Sequence, residues 1–200
     1  MSLLIDPMIE RRMAALLALK DRDTHRSLAI IPRAELYTAT LKACGRLWFL
    51  GMGGCQAIAQ HIAAEYVGRF QVAKRVGLPA MALASEAPGL TALANDFGYP
   101  EAIARLVDTH VQANDLLIIH STSGHGAALQ AALEAALAKK RIVVALLGRD
   151  GGTLAKLLPH GVMLVPGDDT ATIQEMMLFI EHAIVELVDT WMAQHVWDAA

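Results

Sequence analysis

Cysteine is scarce in this chain, since Cys44 and Cys55 are the only two among 200 residues. Two thiols cannot form the disulfide framework of a small secreted protein, nor a zinc site made of thiolates. This scarcity is typical of a reducing compartment, and we expect a cytoplasmic protein. The first residues also lack the basic start and purely apolar core of a signal peptide.

Long hydrophobic runs and basic blocks are missing as well. No apolar stretch approaches the roughly 18 residues that a membrane span needs, so we expect no membrane association. Seventeen Lys and Arg against 20 Asp and Glu give a net charge of -3, which argues against direct nucleic-acid binding. The apolar fraction of 54% therefore predicts buried parallel strands and an interface between subunits.

Five short apolar runs alternate with helical stretches in the larger part of the chain. They are LWFLG at 47–51, AMALA at 80–84, LLIIH at 116–120, IVVALL at 142–147 and VMLV at 162–165. Short buried strands separated by helices predict an α/β fold. We expect a doubly wound, five-stranded parallel sheet flanked by helices.

The N-terminal region, residues 1–44, is predicted to be helical. Residues 21–27 are polar and turn-like, and a second helix is expected over 32–42. No linker or repeat separates this region from residues 45–200. We therefore expect the N-terminal helices and the following domain to form one structural unit.

Two pairs of side chains suited to metal binding lie far apart in the sequence. His61 and Glu65 are four residues apart, so on a helix they share one face. Gln174 and His182 lie in the last predicted helix, 170–194. Imidazole, carboxylate and amide oxygen can all bind zinc or a similar ion, and Glu with His is also a common proton-transfer pair. For His61 and Glu65, a solvated surface pair is the alternative.

Spacing within the last helix leads to a prediction about assembly. Gln174 and His182 are about 12 Å apart along a regular helix, which is too far for two ligands of one ion. Either the helix start bends toward the site, or a neighbouring subunit supplies one ligand. The helix is apolar on more than one face, which favours subunit packing and a site completed between subunits.

The loops after the first and third predicted strands carry the ligand-binding signals, because ligands of open α/β sheets bind at the carboxyl ends of strands. GMGG at 51–54 lets a ligand approach the backbone, but it lacks the further glycine and the lysine of nucleotide loops. Ser121, Thr122 and Ser123 precede a predicted helix, and their hydroxyls favour a phosphate group. An ordinary helix N-cap is the alternative.

Several blocks of the chain together resemble the phosphoheptose isomerases of the sugar isomerase (SIS) superfamily. They are LWFLGMGGCQAIAQHIAAEYVGRF, ANDFGYPEAIARLV, LLIIHSTSGHGAAL, LLGRDGG and IQEMMLFIEH, in order within residues 45–190. The resemblance implies a zinc-dependent homotetramer. It also implies conversion of sedoheptulose 7-phosphate to D-glycero-D-manno-heptose 7-phosphate, in lipopolysaccharide synthesis.

The resemblance also assigns roles to particular residues. Glu65 and His182 match a proton-transfer pair, in which Glu65 serves the two carbons of an enediol and His182 the oxygens. The expected zinc ligands are His61, Glu65, Gln174 and His182. The expected substrate-binding residues are Met52, Gly53, Gly54, Glu65, Asn95, Asp96, Ser121, Thr122, Ser123 and Gln174.

Four positions depart from the family pattern. Met52 and Cys55 stand in a loop that usually reads GNGGS, Gly126 replaces a serine, and Ala171 replaces an acid. Each lost hydrogen bond to a charged ligand costs about 1.5 to 3 kcal/mol. The second hypothesis is therefore a non-catalytic member that binds a sugar phosphate or associates with a replication initiator, although retention of Glu65 favours an enzyme.

Further residues near the predicted loops have more than one interpretation. His120 and His125 flank the loop of Ser121, Thr122 and Ser123, and each is expected to contact either a ligand or the backbone. Asp168 and Asp169 precede the last helix and are expected to cap it, or to replace the missing acid. Cys55 is expected to be a structural thiol rather than one with a lowered pKa.

Overall fold

A computed structural model describes residues 5–21 and 23–196. The strands are β1 Leu47–Leu50, β2 Ala80–Ala82, β3 Leu116–Ser121, β4 Ile142–Gly148 and β5 Val162–Val165. They form one sheet in the order β2-β1-β3-β4-β5, and every neighbouring pair is parallel. The predicted five-stranded parallel sheet is confirmed.

Helices cover both faces of this sheet. They are α1 Ile5–Asp21, α2 Asp23–Lys42, α3 Gly54–Val67, α4 Ala87–Phe97, α5 Tyr99–His110, α6 Ala127–Ala138, α7 Gly152–Leu157 and α8 Thr170–Val196. Leu47 and Phe49 belong to a buried cluster with α1, α2, α3 and α8, whereas Trp48 and Leu50 belong to a second cluster with α5 and α6. Successive side chains of a strand point to opposite faces, so β1 contributes to both clusters.

The predicted turn at 21–27 is wrong for residues 23–27, which belong to the second helix, while residue 22 lies outside the described residues. The first helix ends at Asp21, and the second begins at Asp23 and continues through Pro32 to Lys42. The residues between 21 and 31 are largely polar, but they include neither glycine nor proline. Nothing in that stretch strongly opposes a helix, and Pro32 costs the helix a backbone hydrogen bond without ending it.

A buried ion pair joins the segment that follows α3 to α8. The guanidinium of Arg75 contacts the carboxylate of Asp189, and both side chains are fully buried. Arg75 also donates to the backbone oxygens of Glu65 and Tyr66, each at 2.8 Å. The second oxygen of Asp189 accepts the backbone N–H groups of residues 71 and 72. These bonds hold the C-terminal end of α3 and the chain that follows it against α8.

Two helices remain largely uncovered in the single chain. Met8, Ile9, Met13, Leu16 and Leu17 of α1 are exposed, and α4 buries none of its side chains. Adjacent exposed apolar side chains are typical of a surface that contacts another protein. Across the two described ranges, no helix combines the length and apolarity needed to cross a membrane.

We predict that Asp189→Ala lowers the free energy of unfolding by about 3 to 5 kcal/mol, because it leaves the buried charge of Arg75 without its partner. Urea unfolding at a fixed protein concentration would measure the change. Glu101→Ala is the matched control, since it removes an exposed ion pair with Arg105 and should cost less than about 1 kcal/mol. Equal stability of the two variants would contradict the role assigned to Asp189.

Candidate active site

Three of the predicted metal ligands meet where α3 packs on α8. The two ring nitrogens Nε2 of His61 and His182 are 3.1 Å apart, and Nε2 of His61 lies 3.5 Å from Oε1 of Glu65. One possible ligand atom from each of the three residues lies within 4.8 Å of the others. The four-residue spacing of His61 and Glu65 therefore places both on the face of α3 that meets His182.

The donor set and its spacing fit a zinc ion. In tetrahedral zinc sites with metal–nitrogen distances of about 2.0 to 2.1 Å, neighbouring ligand atoms are about 3.3 Å apart. The observed separations of 3.1 and 3.5 Å lie on either side of this value. The side chains of His61 and Glu65 are 48% and 25% exposed, so one side of the cluster is open to a substrate.

Neighbouring side chains fix the ring of His182 and favour its neutral form, which can bind a metal. It stacks on Phe70 with ring centroids 5.5 Å apart, and His61 meets its edge. Burial lowers the pKa of His182, the adjacent His61 lowers it further, and Glu65 acts in the opposite direction. A lowered pKa favours the neutral imidazole at neutral pH, which is the form that binds a metal or accepts a proton.

The side chain of Gln174 lies at the start of α3 in the same chain, beside Gly54 and Cys55. Its side-chain nitrogen Nε2 lies 3.9 Å from the sulfur of Cys55, and a Cβ added at Gly54 would overlap its amide. Gly54 precedes His61 by seven residues, which is about 10 Å along α3. Of the two alternatives for Gln174, a bend at the helix start or a ligand from a neighbouring subunit, this position favours the second, and the role of Gln174 as a metal ligand remains a prediction.

Cys55 is buried between the loops that follow β1 and β3. Burial raises the pKa of the Cys55 thiol, whereas the Gln174 side chain and the backbone of Thr122 partly oppose this shift. The expectation of a structural thiol agrees with this environment. Cys55 therefore lies in the contact between the loop at 51–54 and the loop at 121–123.

The loop after β3 differs from the prediction. Ser121 is the last residue of β3 and α6 begins only at Ala127, with Gly126 at the N-cap and no side-chain cap. The three hydroxyl residues are therefore neither at a helix start nor an ordinary cap. Instead, the hydroxyl oxygens of Ser121 and Ser123 accept the backbone N–H groups of the next turn, at 3.0 and 3.2 Å. Positive φ angles at Gly124 and Gly126 permit this extra turn before the helix.

The loop after β4 and the first turn of α7 support the turn that contains Ser121, Thr122 and Ser123, which we call the hydroxyl turn. The backbone N–H of Leu154 donates to the oxygen of Gly124 at 3.0 Å, and a Cβ at Gly124 would overlap the oxygen of Gly151. The ring of His125 meets the hydroxyl of Thr153 at 3.1 Å, so its partner is a side chain. Close contact between two backbones fixes the height of the hydroxyl turn above the sheet.

The remaining predicted substrate residues lie around the glycine loop and on α4. Gly53 is the N-cap of α3, with φ of 55°, and the sulfur of Met52 accepts a hydrogen bond from Tyr99 at 2.9 Å. Asn95 donates to Asp96 at 3.0 Å, and both are exposed. Among the described residues, neither Asn95 nor Asp96 forms a hydrogen bond with the His61 cluster.

Sequence reasoning missed the residue that joins the loops after β1 and β2. Gln56 accepts the backbone N–H of Gly51 at 2.9 Å and donates to the oxygen of Leu83. Its position two residues after the glycine loop was the available signal. No motif marks a glutamine at this position, because its partners come from two separate loops.

The structure also shows the partners of Asp169, at the start of α8, and of His120, at the end of β3. Asp169 caps α8, since its carboxylate accepts the N–H and hydroxyl of Thr172, and these bonds lower the pKa of Asp169. The ring of His120 is fully buried, and within residues 5–21 and 23–196 its Nδ1 has no hydrogen-bond partner. Its ring meets the carboxylate of Glu181 at 2.7 Å, with both side chains fully buried. The expectation for His120 was wrong because α8 brings a carboxylate to the end of β3.

Known proteins are similar in sequence to this chain over most of its length. The SIS domain family matches residues 13–148. A phosphoheptose isomerase from Citrifermentans bemidjiense is 41% identical over 163 residues, which cover 82% of this chain and 84% of that protein. A phosphoheptose isomerase from Alkalilimnicola ehrlichii is 39% identical over 174 residues, 86% of this chain and 86% of that protein.

A solved structure has the same fold. Phosphoheptose isomerase GmhA from Neisseria gonorrhoeae superposes with a TM-score of 0.83 at 32% identity, covering 94% of this chain and 99% of that one. The chain therefore belongs to the SIS domain family. Within that family, its similarity in sequence and structure places it among the phosphoheptose isomerases.

We predict that Cys55 reacts with an alkylating reagent at pH 8 at least about tenfold more slowly than Cys44, because only the thiolate is nucleophilic. Cys44 is exposed and Cys55 is buried. Since the pKa of Cys55 lies above its ordinary 9.0, its reaction should continue to accelerate above pH 9. Mass spectrometry of the labelled peptides would give both rates, and the difference should vanish in urea. Equal rates in the folded protein would contradict the prediction.

Proposed function

We propose that this protein is a phosphoheptose isomerase that interconverts sedoheptulose 7-phosphate and D-glycero-D-manno-heptose 7-phosphate. The observation that carries the proposal is the meeting of His61, Glu65 and His182 in a chain 41% identical to a phosphoheptose isomerase. The three residues supply a carboxylate and two imidazoles at one open surface. We place the reaction in the cytoplasm, in lipopolysaccharide synthesis.

The reaction moves a proton between two neighbouring carbons through an enediol. Glu65 is the base that removes the proton from one carbon and returns it to the next, because a carboxylate can serve both positions in turn. His182 transfers the proton between the two substrate oxygens, and its lowered pKa keeps it able to accept one near neutral pH.

A zinc ion held by His61, Glu65 and His182 fits the donor set of this site. When bound, zinc would fix the orientation of the substrate and polarise its oxygens. Gln174 is the fourth ligand in our proposal, supplied by a neighbouring subunit. The protein residues would still carry out the proton transfers.

The phosphate group of the substrate binds the hydroxyl turn at Ser121, Thr122 and Ser123. The oxygens of Ser121 and Ser123 already accept N–H groups of their own loop, so their hydroxyl hydrogens are available to donate. A phosphate needs several such donors and little positive charge. Met52, Gly53, Gly54, Asn95, Asp96 and Gln174 complete the proposed sugar site.

We further propose a homotetramer in which residues 1–44 and 45–200 act as one structural unit. The exposed apolar side chains of α1 and the uncovered α4 supply surfaces for subunit contact. Subunit contact would also bring a Gln174 to the metal cluster of a neighbour. The partners in this proposal are a sugar phosphate and identical subunits, with no direct nucleic-acid or membrane binding.

The second candidate is a non-catalytic sugar-phosphate-binding protein. The specific observation behind it is Met52, whose sulfur is engaged by Tyr99 at a position where the family offers an amide to the substrate. Weakened sugar contacts would leave the metal cluster intact. Deuterium exchange distinguishes the candidates, because only an isomerase introduces solvent deuterium into the substrate.

We predict that Glu65→Gln slows isomerisation of sedoheptulose 7-phosphate by at least about 100-fold, because an amide cannot accept the substrate proton. NMR would follow both product formation and uptake of solvent deuterium, with and without added zinc. Glu175→Gln is the matched control, since Glu175 is an exposed carboxylate paired with Arg12 on the same subunit. Near wild-type turnover by the Glu65 variant would remove Glu65 from the mechanism.

We also predict that the site is shared between subunits. Glu65→Gln and Gln174→Ala should each be inactive, but tetramers refolded from a mixture of the two should regain activity. In such tetramers, some sites receive an intact Glu65 from one subunit and an intact Gln174 from its neighbour. Failure of the mixture to recover activity, or an active monomer in light scattering, would contradict a shared site.

A further inference from the structure

A carboxylate buried beneath the candidate site joins three elements of the fold. Glu181 of α8 meets Nε2 of His120 at the end of β3, at 2.7 Å, and both side chains are 0% exposed. Tyr37 of α2 donates its hydroxyl to the same carboxylate oxygen at 3.4 Å. The mechanism proposed above uses none of these three side chains.

The two members of this pair are sequence neighbours of the two halves of the site. Glu181 immediately precedes His182, and His120 immediately precedes Ser121. Successive residues of a helix are rotated by about 100°, so Glu181 points into the core while His182 points toward α3. The pair is therefore a direct bond between the helix that presents His182 and the strand end from which the hydroxyl turn begins.

The orientation of His120 depends on this bond. Its other ring nitrogen, Nδ1, has no hydrogen-bond partner in the described part of the chain, and the same holds for the second oxygen of Glu181. The ring also packs near Phe49, with centroids 6.0 Å apart. Packing alone leaves a ring free to shift, whereas the bond to Glu181 sets its direction.

Stability alone does not explain a polar pair at this position. Burying two polar groups has a desolvation cost, and an apolar pair of similar volume is often as stable or more stable. A hydrogen bond differs from apolar packing because it fixes direction and separation. The benefit of the pair is therefore a defined position of α8 relative to β3.

We propose that His120 and Glu181 are positioning residues that couple the metal cluster at His182 to the phosphate-binding turn at Ser121. The inference rests on the proposed function, because it concerns the two halves of that site. Neither residue touches the substrate. Each acts through the residue that follows it in the chain.

The experiment measures the effect of each substitution on the opposite half of the site. His120→Ala, on the strand, should weaken zinc binding, and Glu181→Ala, on the helix, should weaken binding of inorganic phosphate. We expect about a tenfold loss in each case, the lower end of the effect seen when groups that orient metal ligands are removed. Competition with a chromophoric chelator gives the zinc affinity, and calorimetry gives the phosphate affinity.

A conservative variant and a matched control separate positioning from loss of stability. Glu181→Gln keeps an oxygen that can accept from His120 and should retain both affinities. Asp115→Asn alters a buried carboxylate at the opposite end of β3, where Asp115 accepts from Trp48 and from two backbone N–H groups. It should lower the melting temperature and leave both affinities unchanged. The triple alanine variant at residues 121–123 should abolish phosphate binding. That loss would show that the measured phosphate binds at this turn.

The result would overturn the inference if each alanine variant affected only its own half of the site. It would also do so if Asp115→Asn reduced both affinities, or if Glu181→Gln behaved like Glu181→Ala. These measurements need no isomerisation. A wild-type protein that binds zinc and phosphate without isomerising the sugar would contradict the proposed function. The effect of His120→Ala on zinc binding and of Glu181→Ala on phosphate binding would still decide this inference.

Discussion

The buried pair of Arg75 and Asp189 is the interaction on which the candidate site depends. Arg75 binds the backbone oxygens of Glu65 and Tyr66 at the end of α3, and Asp189 lies on α8. His61 and Glu65 lie on α3 and His182 on α8. A charge pair with no exposed surface permits little sliding between the helices, because any shift would leave a buried charge without its partner.

The other half of the site is positioned by backbone contact. Gly124 lies so close to Gly151 that a Cβ would overlap its carbonyl oxygen, and Leu154 donates to Gly124 from the first turn of α7. The hydroxyl turn is therefore supported from below by a neighbouring loop, not by the helix that follows it. The metal cluster and the hydroxyl turn thus have separate supports, and the pair of His120 and Glu181 links them.

The sequence predicted the strands well, and the reason is physical. Each buried strand of a parallel sheet is a short apolar run, so runs such as LLIIH could be located without knowledge of their neighbours. Residues 23–27 were misassigned because a polar stretch can still be helical. The start of α6 was misplaced because Gly124 and Gly126 adopt positive φ angles, and Gly124 does so in contact with Gly151 in the loop after β4.

By itself, the sequence determined the α/β class, the shared face of His61 and Glu65, and the resemblance to phosphoheptose isomerases, because these follow from local periodicity and ordered motifs. Only the tertiary structure decided that His182 meets that face while Gln174 lies beside Cys55. It also brought Glu181 to His120 across 61 residues. Such pairings depend on how α8 packs against α3 and β3, and no local pattern encodes the distance between two separate elements.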